Sequence, residues 1–357
     1  MNALSVDPLW PRAGDWPPPS DRPDAVLLGV PAWRTSLSPT GADTTPATVR
    51  EALRRFSPTL LGPPPRDLND ILRIADAGDV SEPDGREGEA RVRSAVAALD
   101  AARLVIALGG DNSATYAVAQ GRGARGLVTL DAHFDLRDGE SNGSPVRRLI
   151  ADGLDPRRIV QIGIADFANS AVYARRALDA GITVITLDEV RRRGIDDVVA
   201  QALSIAGGGD AGGGHAGDGH AGDGHAGDDE VPDDGDRTGA GDDGAGRAPS
   251  PDTRTRTRTR TDDSGLTPRA ADGGGIHVDI DVDVCDRAVA PGCPASVPGG
   301  LAAWELRALV RGLARDPGVR SADIVEVDAT ADTADARTVR LAALCVLELL
   351  AGLAERR

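Results

Sequence analysis

The sequence has no lysine; all forty basic residues are arginine. This reads as the base composition of the source genome and not as chemistry. Aromatic residues are scarce, 3% against 40% hydrophobic residues in total, so a core must be built from Ala, Val, Leu and Ile. Positive charge is also short, with 40 basic residues against 56 acidic ones and a formal net charge of -16. That balance argues against nucleic acid and anionic membrane as partners, because both reward basic patches. Cysteine is limited to Cys285, Cys293 and Cys345. A low, odd count without paired spacing points to a reduced, intracellular setting. No run approaches the roughly 20 apolar residues of a spanning helix. The Pro- and Trp-containing start, Met1 to Pro19, lacks the apolar stretch of a signal peptide. The expected location is the cytoplasm.

What is present divides sharply. Residues 206–275 are rich in Gly and Asp, with a GHAGD repeat followed by alternating Thr and Arg from Thr253 to Thr261. Fifteen acidic residues against seven Arg give this segment a net charge of -8, half the total. With almost no large apolar side chains it cannot offset its ordering entropy, so a disordered insertion is expected. A fold tolerates such an insertion because closure entropy grows slowly with loop length. Elsewhere short Val/Ile/Leu-rich runs occur at 25–30, 71–75, 103–108, 126–130, 158–162, 182–187, 276–280 and 322–327. Amphipathic helical patterns fall at 46–56, 88–101, 112–120, 169–180, 302–314 and 338–354. This alternation predicts a three-layer α/β/α fold with a mostly parallel sheet of about eight strands. The domain plan is a flexible N-terminus over 1–20, one α/β domain from 21–205 and 276–357, and the insertion between its halves.

Polar residues gather at three strand ends: Gly109-Gly110-Asp111-Asn112-Ser113, Asp131-Ala132-His133-Phe134-Asp135 and Asp279-Ile280-Asp281-Val282-Asp283. Open α/β sheets place their sites at such ends. Residues two apart on a strand share a face. Asp131 with His133, and Asp281 with Asp283, can therefore converge, and Asp279 joins them if the strand continues. Four or five converging carboxylates repel one another unless cations neutralise them. Two divalent ions balance the four charges of Asp131, Asp135, Asp281 and Asp283. Oxygen-rich ligands with one imidazole suit Mn(II), and a bridged pair lowers the pKa of water for hydrolysis. Each cluster alone could equally be a turn or helix cap; it is their conjunction that points to a metal site.

These residues bring a family into view. The chain resembles the ureohydrolases, the superfamily of arginase, agmatinase and formimidoylglutamase. Residues 109–113 resemble the family's Gly-Gly-Asp-His-Ser, residues 131–135 match Asp-Ala-His-x-Asp, and residues 279–300 resemble its long Asp-x-Asp to Pro-Gly-Gly motif. The stretch Ile324-Val325-Glu326-Val327-Asp328 resembles Glu-Val-Asn-Pro, and Asp332 and Thr338 fit that region. The formimidoylglutamase branch is nearest, on residues 34–42, 131–137, 142–147, 161–173 and 290–295. The resemblance implies an arginase-like fold, a homo-oligomer and two Mn(II) per subunit. One ion would be held by Asp131, His133, Asp281 and Asp283. The other would use Asp131, Asp135, Asp281 and the residue at position 112, where this chain has Asn in place of His; if that amide fails, one ion remains. It also implies hydrolysis of a small linear amidine, N-formimidoyl-L-glutamate, to L-glutamate and formamide, as in histidine degradation. Asp135 would relay the proton and Glu326 would pair with the amidinium. Asn142, Arg147 and Arg34 are candidates to meet the substrate carboxylates, Glu326 its amidinium. Where arginases carry a proton-moving His-Gly pair the chain has Asn142-Gly143, and Asn cannot act as acid or base.

Two alternatives stand beside this reading: an agmatinase or guanidino-acid hydrolase with the same chemistry, and a catalytically silent relative. Other features attract blander readings. His215, His220 and His225 belong to a drifted repeat, His277 packs, Cys285 is a small buried hydrophobe, and Asp76 and Asp79 shape a turn.

Overall fold

The computed structural model describes residues 7–209 and 274–356. The insertion expected at 206–275 lies outside the described residues apart from its two ends. In chain order the elements are β1 (Ala25–Val30), α1 (Thr45–Leu53), β2 (Thr59–Leu60), β3 (Arg66–Asp67), α2 (Leu68–Ile71), β4 (Ile74–Asp79), α3 (Gly85–Ala97), β5 (Leu104–Gly109), α4 (Ser113–Gly121) and β6 (Gly126–Leu130). There follow α5 (Pro145–Ala151), β7 (Ile159–Ile164), α6 (Ala171–Ala180), β8 (Thr183–Thr186), α7 (Leu187–Arg193), α8 (Ile195–Ala206), β9 (Ile276–Asp281), α9 (Ala303–Ala314), β10 (Val319–Val325) and α10 (Arg337–Ala354).

Eight strands form one sheet in the order β4-β1-β5-β10-β9-β6-β7-β8, and every neighbouring pair is parallel. Strands β1, β5, β6, β7 and β9 are buried along their whole length, which is why they read as continuous apolar runs and not as alternating ones. On one face, Leu104, Ile106, Val128, Leu130, Val278 and Ile280 pack with side chains of α1, α8, α9 and α10. On the other, Val92 and Val96 of α3 and Ala114, Ala117 and Val118 of α4 cover Leu28, Val30, Ala107 and Val325. The three-layer α/β/α architecture predicted from the alternation is the one observed.

The strand order places the site. After β5 the chain leaves a gap, builds β6, β7 and β8 outward, and fills the gap later with β9 and β10. The C-terminal ends of β5, β10, β9 and β6 thus lie side by side, although they come from both halves of the sequence.

Several local differences from the sequence reading have plain causes. The strand expected at 71–75 starts at Ile74, because residues 68–71 close a helical turn capped by Asp67, whose carboxylate accepts from Asn69 N at 2.9 Å. The strand expected at 322–327 stops at Val325, because Glu326 turns the backbone to φ +59°. Helix α8 went unread although Val198, Val199, Ala202 and Ile205 mark its buried face. Its last residue, Ala206, is fully buried and so belongs to the fold and not to the insertion. The leader expected to be flexible over 1–20 is anchored in its described part. Ala13 is fully buried, its N–H donates to Phe56 O at 2.9 Å, and Trp16 Nε1 donates to Asn69 Oδ1 at 2.9 Å. Asp76 and Asp79 do more than shape a turn: both pair with Arg50 of α1, at 2.6 Å and 2.5 Å.

A methyl group on Gly126 would lie 2.0 Å from the backbone oxygen of Ala206, so β6 accepts α8 there only because the side chain is missing. Gly126→Ala is expected to cost about 1–3 kcal/mol through overpacking, read as a fall of several degrees in Tm. An unchanged Tm would contradict this packing.

Candidate metal centre

Three of the acidic side chains at the strand ends are each tied by one oxygen to a backbone N–H. Asp131 Oδ1 accepts from His133 N at 2.6 Å, Asp281 Oδ1 from Asp283 N at 2.8 Å, and Asp283 Oδ1 from Ala132 N at 3.1 Å. The last bond links the loop after β6 to the turn after β9. Asp135 sits at φ +53°, a left-handed conformation uncommon for a residue with a side chain, and this turns its carboxylate back toward Asp131. The paired glycines have a steric reason. A Cβ at Gly110 would lie 1.9 Å from Ala32 O, and this close approach lets Asp111 N donate to Ala32 O at 2.7 Å and Glu326 N to Gly110 O at 2.8 Å.

The carboxylates meet. Ligand atoms of Asp131, His133 and Asp283 lie within 4.8 Å of one another, and so do those of Asp131, Asp135 and Asp279. Asp281 is buried in the same cluster, though outside both triplets. His133 Nδ1 is 2.7 Å from Asp283 Oδ2 and 3.5 Å from Asp131 Oδ1. Burial is the leading cause of the electrostatic strain. It raises the Asp131 carboxyl to about 6, helped by the Asp283 charge. It pushes Asp135 well above the ordinary carboxylate range, with the Asp131 charge adding to it, and does the same to Asp281 beside Asp283 and Asp131. For His133 burial acts downward, but the Asp283 charge and the bonds to Asp131 and Asp283 outweigh it and hold the imidazole up at about 12. Burial would raise Asp283 too, yet His133 beside it keeps its carboxyl below the usual value.

These residues fit divalent cations. Asp131 Oδ2 and Asp279 Oδ2 are fully buried with no hydrogen-bond partner, an arrangement that costs free energy unless a positive charge lies against it. The donors are hard carboxylate oxygens with one imidazole.

Asn112, at the entry to α4, is placed differently from a ligand. Its Nδ2 donates to Asp135 Oδ2 in a short hydrogen bond, and its Oδ1 accepts from Thr115 Oγ1 at 2.7 Å. Its own N–H donates to Glu326 Oε1 at 2.8 Å. The Glu326 carboxylate also takes a bond from Asn142 Nδ2 at 2.8 Å on the same oxygen. Burial first, and the Asp111 charge next, push Glu326 up to about 8 against those two bonds.

Above the cluster lies a cavity of about 370 Å³ lined by His133, Asp135, Asp281, Asp283 and Glu326 below and by Leu37, Arg137, Asn142, Tyr173 and Pro294 toward its mouth. Asn142 lines it and also holds the loop before α1, its Oδ1 accepting from Leu37 N at 3.0 Å. Arg34 and Arg147, expected near the substrate, do not line it. Arg34 is exposed, and the Arg147 guanidinium is spent on the backbone oxygens of Arg137 and Gly139. The cation that does line the mouth is Arg137, two residues beyond Asp135. Sequence reasoning passed it over, although its place directly after the Asp-Ala-His-x-Asp motif was a usable signal. His277 packs as expected, buried between Ser321 and Asp323 at 2.9 Å and 3.2 Å. Asp332 and Thr338 brace the 290–295 loop through Gly292 N, which donates to Thr338 Oγ1 at 2.9 Å, and lie outside the cavity lining.

Comparison with known proteins bears on the family and the fold. A sequence model of the arginase family matches residues 23–212 and 257–352. The formimidoylglutamase of Halobacterium salinarum is 32% identical over 353 residues, covering 94% of this chain and 90% of that protein. The crystal structure of formimidoylglutamase from Bacillus subtilis superposes with a TM-score of 0.75 at 25% identity, covering 99% of this chain and 95% of the other. The fold is shared with Trypanosoma cruzi formiminoglutamase, solved with Mn2+, at a TM-score of 0.69 and 21% identity over 94% and 95% of the two chains.

The raised carboxyls set a pH dependence for the metal-free protein. A carboxyl whose folded pKa exceeds its unfolded value keeps a proton that the unfolded chain releases, so stability falls as pH rises between the two. For Asp131 and Glu326 that window runs from the ordinary values of 3.8 and 4.5 to about 6 and about 8. The Tm of chelator-treated protein is therefore expected to drop from pH 5 to 8, and added Mn(II) to reverse the drop. A metal-free Tm that rises across this range would contradict the electrostatics described here.

Proposed function

The chain belongs to the arginase family, and from that membership we propose that this amidino hydrolase cleaves N-formimidoyl-L-glutamate to L-glutamate and formamide. The observation that carries the choice of substrate is the make-up of the cavity mouth. Apart from the carboxylates and His133 at its floor, its charged lining residue is Arg137, and the Arg137 guanidinium has no ion pair among the described residues. A dicarboxylate tail finds a cation there, whereas the cationic tail of agmatine would meet one of like sign. The names of the Halobacterium and Bacillus relatives support the same reaction.

Asp131, His133, Asp135, Asp281 and Asp283 are the residues proposed to hold two Mn(II) ions, a metal also present in the Trypanosoma cruzi relative. Bound there, the ions supply Lewis-acid polarisation and a lowered pKa for water. The protein groups do the rest. Glu326 is anchored through Oε1, which leaves Oε2 for the amidinium of the substrate, and that positive charge draws its carboxyl back toward the ionised form. Asn142 fixes Glu326 and so sets the orientation of the amidine carbon. Asp135 takes the proton of the attacking water and returns it to the glutamate nitrogen as the carbon–nitrogen bond breaks. Water oxygen ends on the carbon that leaves as formamide. Arg137 holds a carboxylate of the glutamate portion at the mouth.

The test is formamide release from N-formimidoyl-L-glutamate by Mn(II)-loaded protein, run beside urea release from agmatine and arginine. Turnover of the diacid is expected. Preference for agmatine would overturn the substrate assignment, and silence on all three would mark a relative without this activity. Arg137→Ala is expected to raise KM for the diacid by roughly 10–100-fold, the worth of one charged hydrogen bond, with little change in kcat. An unaltered KM would remove Arg137 from the substrate site.

A further inference from the structure

The residues assigned so far explain one side of the metal cluster better than the other. On the His133 side, two carboxylates and an imidazole converge. On the Asp135 side the remaining candidate was Asn112, yet its amino group faces Asp135 and its oxygen is engaged by Thr115. Reversing the amide would set oxygen against the Asp135 carboxylate and lose that bond, so the network fixes the orientation. The side facing Asp131 and Asp135 then has Asp281 but lacks the fourth donor that the family resemblance implies at position 112.

We propose that Asp279 is that donor, an additional carboxylate ligand that holds a divalent cation together with Asp131 and Asp135. The inference rests on the metal-centre reading above and extends its ligand set. Ligand oxygens of the three residues lie within 4.8 Å of one another. Asp279 is fully buried, and its Oδ2 has no hydrogen-bond partner; the same holds for Asp131 Oδ2. Asp323 Oδ1 is buried without a hydrogen-bond partner as well, and a hard cation held among Asp131, Asp135 and Asp279 gives this group of unpaired carboxylates a counter-charge. The fold gives Asp279 this position by alternation. Residues 277, 279 and 281 share one face of β9, the face covered by α4, where Thr115 Oγ1 approaches Asp279 Oδ1 at 3.4 Å. The neighbouring strands set Thr129 of β6 and Asp323 of β10 beside it in register. An anionic oxygen is a stronger donor to a hard cation than a neutral amide, so Asp279 removes the need for Asn112 to serve.

The competing account is structural. Asp279 could share a proton with Asp323 and simply add a layer to the buried His277, Ser321 and Asp323 network. Metal binding separates the two. The full-length protein, Asp279→Asn, Asp279→Ser and Asn112→Ala are stripped with chelator, dialysed against Mn(II) and analysed for bound metal. The spin-coupled signal of a manganese pair is followed by electron paramagnetic resonance. Wild type and Asn112→Ala are expected to bind two ions. Both Asp279 variants are expected to lose the coupled signal and to bind their second ion about tenfold or more weakly, while their metal-free Tm holds or rises because one of the crowded buried carboxyls is gone. Wild-type affinity for two ions in both Asp279 variants overturns the inference and leaves the metal centre standing. A wild-type protein that binds no pair overturns the metal-centre reading itself, and this ligand with it.

Discussion

The structure is organised around the repulsion of buried carboxylates. Asp131, Asp135, Asp279, Asp281 and Asp283 are all buried at the ends of adjacent strands, and Glu326 lies over them. Such a group of charges opposes folding unless it is protonated or met by cations. The protein holds it with backbone, which cannot shift protonation state: N–H groups of Ala132, His133 and Asp283 each grip one oxygen and leave the other pointing inward. Two site residues, Asp135 and Glu326, pay for their orientation with left-handed backbone. Strain collected at the residues that face the cavity is what a preorganised site requires.

The sheet order supplies the rigidity that this arrangement needs. The four strands that end at the site are central in the sheet and flanked by further strands on both sides, so none of these carboxylates comes from an edge. Two of the four, β9 and β10, arrive after the 210–273 segment and complete a sheet begun by the first half of the chain. The site therefore forms only when both halves have packed. The polar chain of Ser321, His277 and Asp323 runs beneath Asp279 along the same face, giving the acidic cluster a polar floor in place of an apolar one.

Much of this was legible in the sequence. Fully buried parallel strands announce themselves as apolar runs, and β1 and β6 begin and end where those runs do. The metal candidates were legible because Asp-x-Asp and Asp-x-His spacing on a strand forces shared faces. Spacing does not carry loop conformation or side-chain orientation. Arg34 and Arg147 were chosen for charge and proximity in sequence, but loop conformation spends Arg147 on backbone carbonyls and leaves Arg34 outside the cavity. Asn112 was chosen by alignment to a motif, which gives a position without an amide orientation; the orientation follows from Thr115, one turn along α4. Asp279 was visible as an alternating residue, yet its unpaired oxygen appears only when β6 and β9 lie side by side.

The central claim is that the carboxylate cluster exists to hold a pair of divalent cations. The most direct measurement is anomalous diffraction at the manganese edge from crystals grown with Mn(II). The account requires two anomalous peaks among Asp131, Asp135, Asp279, Asp281, Asp283 and His133. A cluster without anomalous density, its carboxylates bridged by protons or water alone, would contradict it.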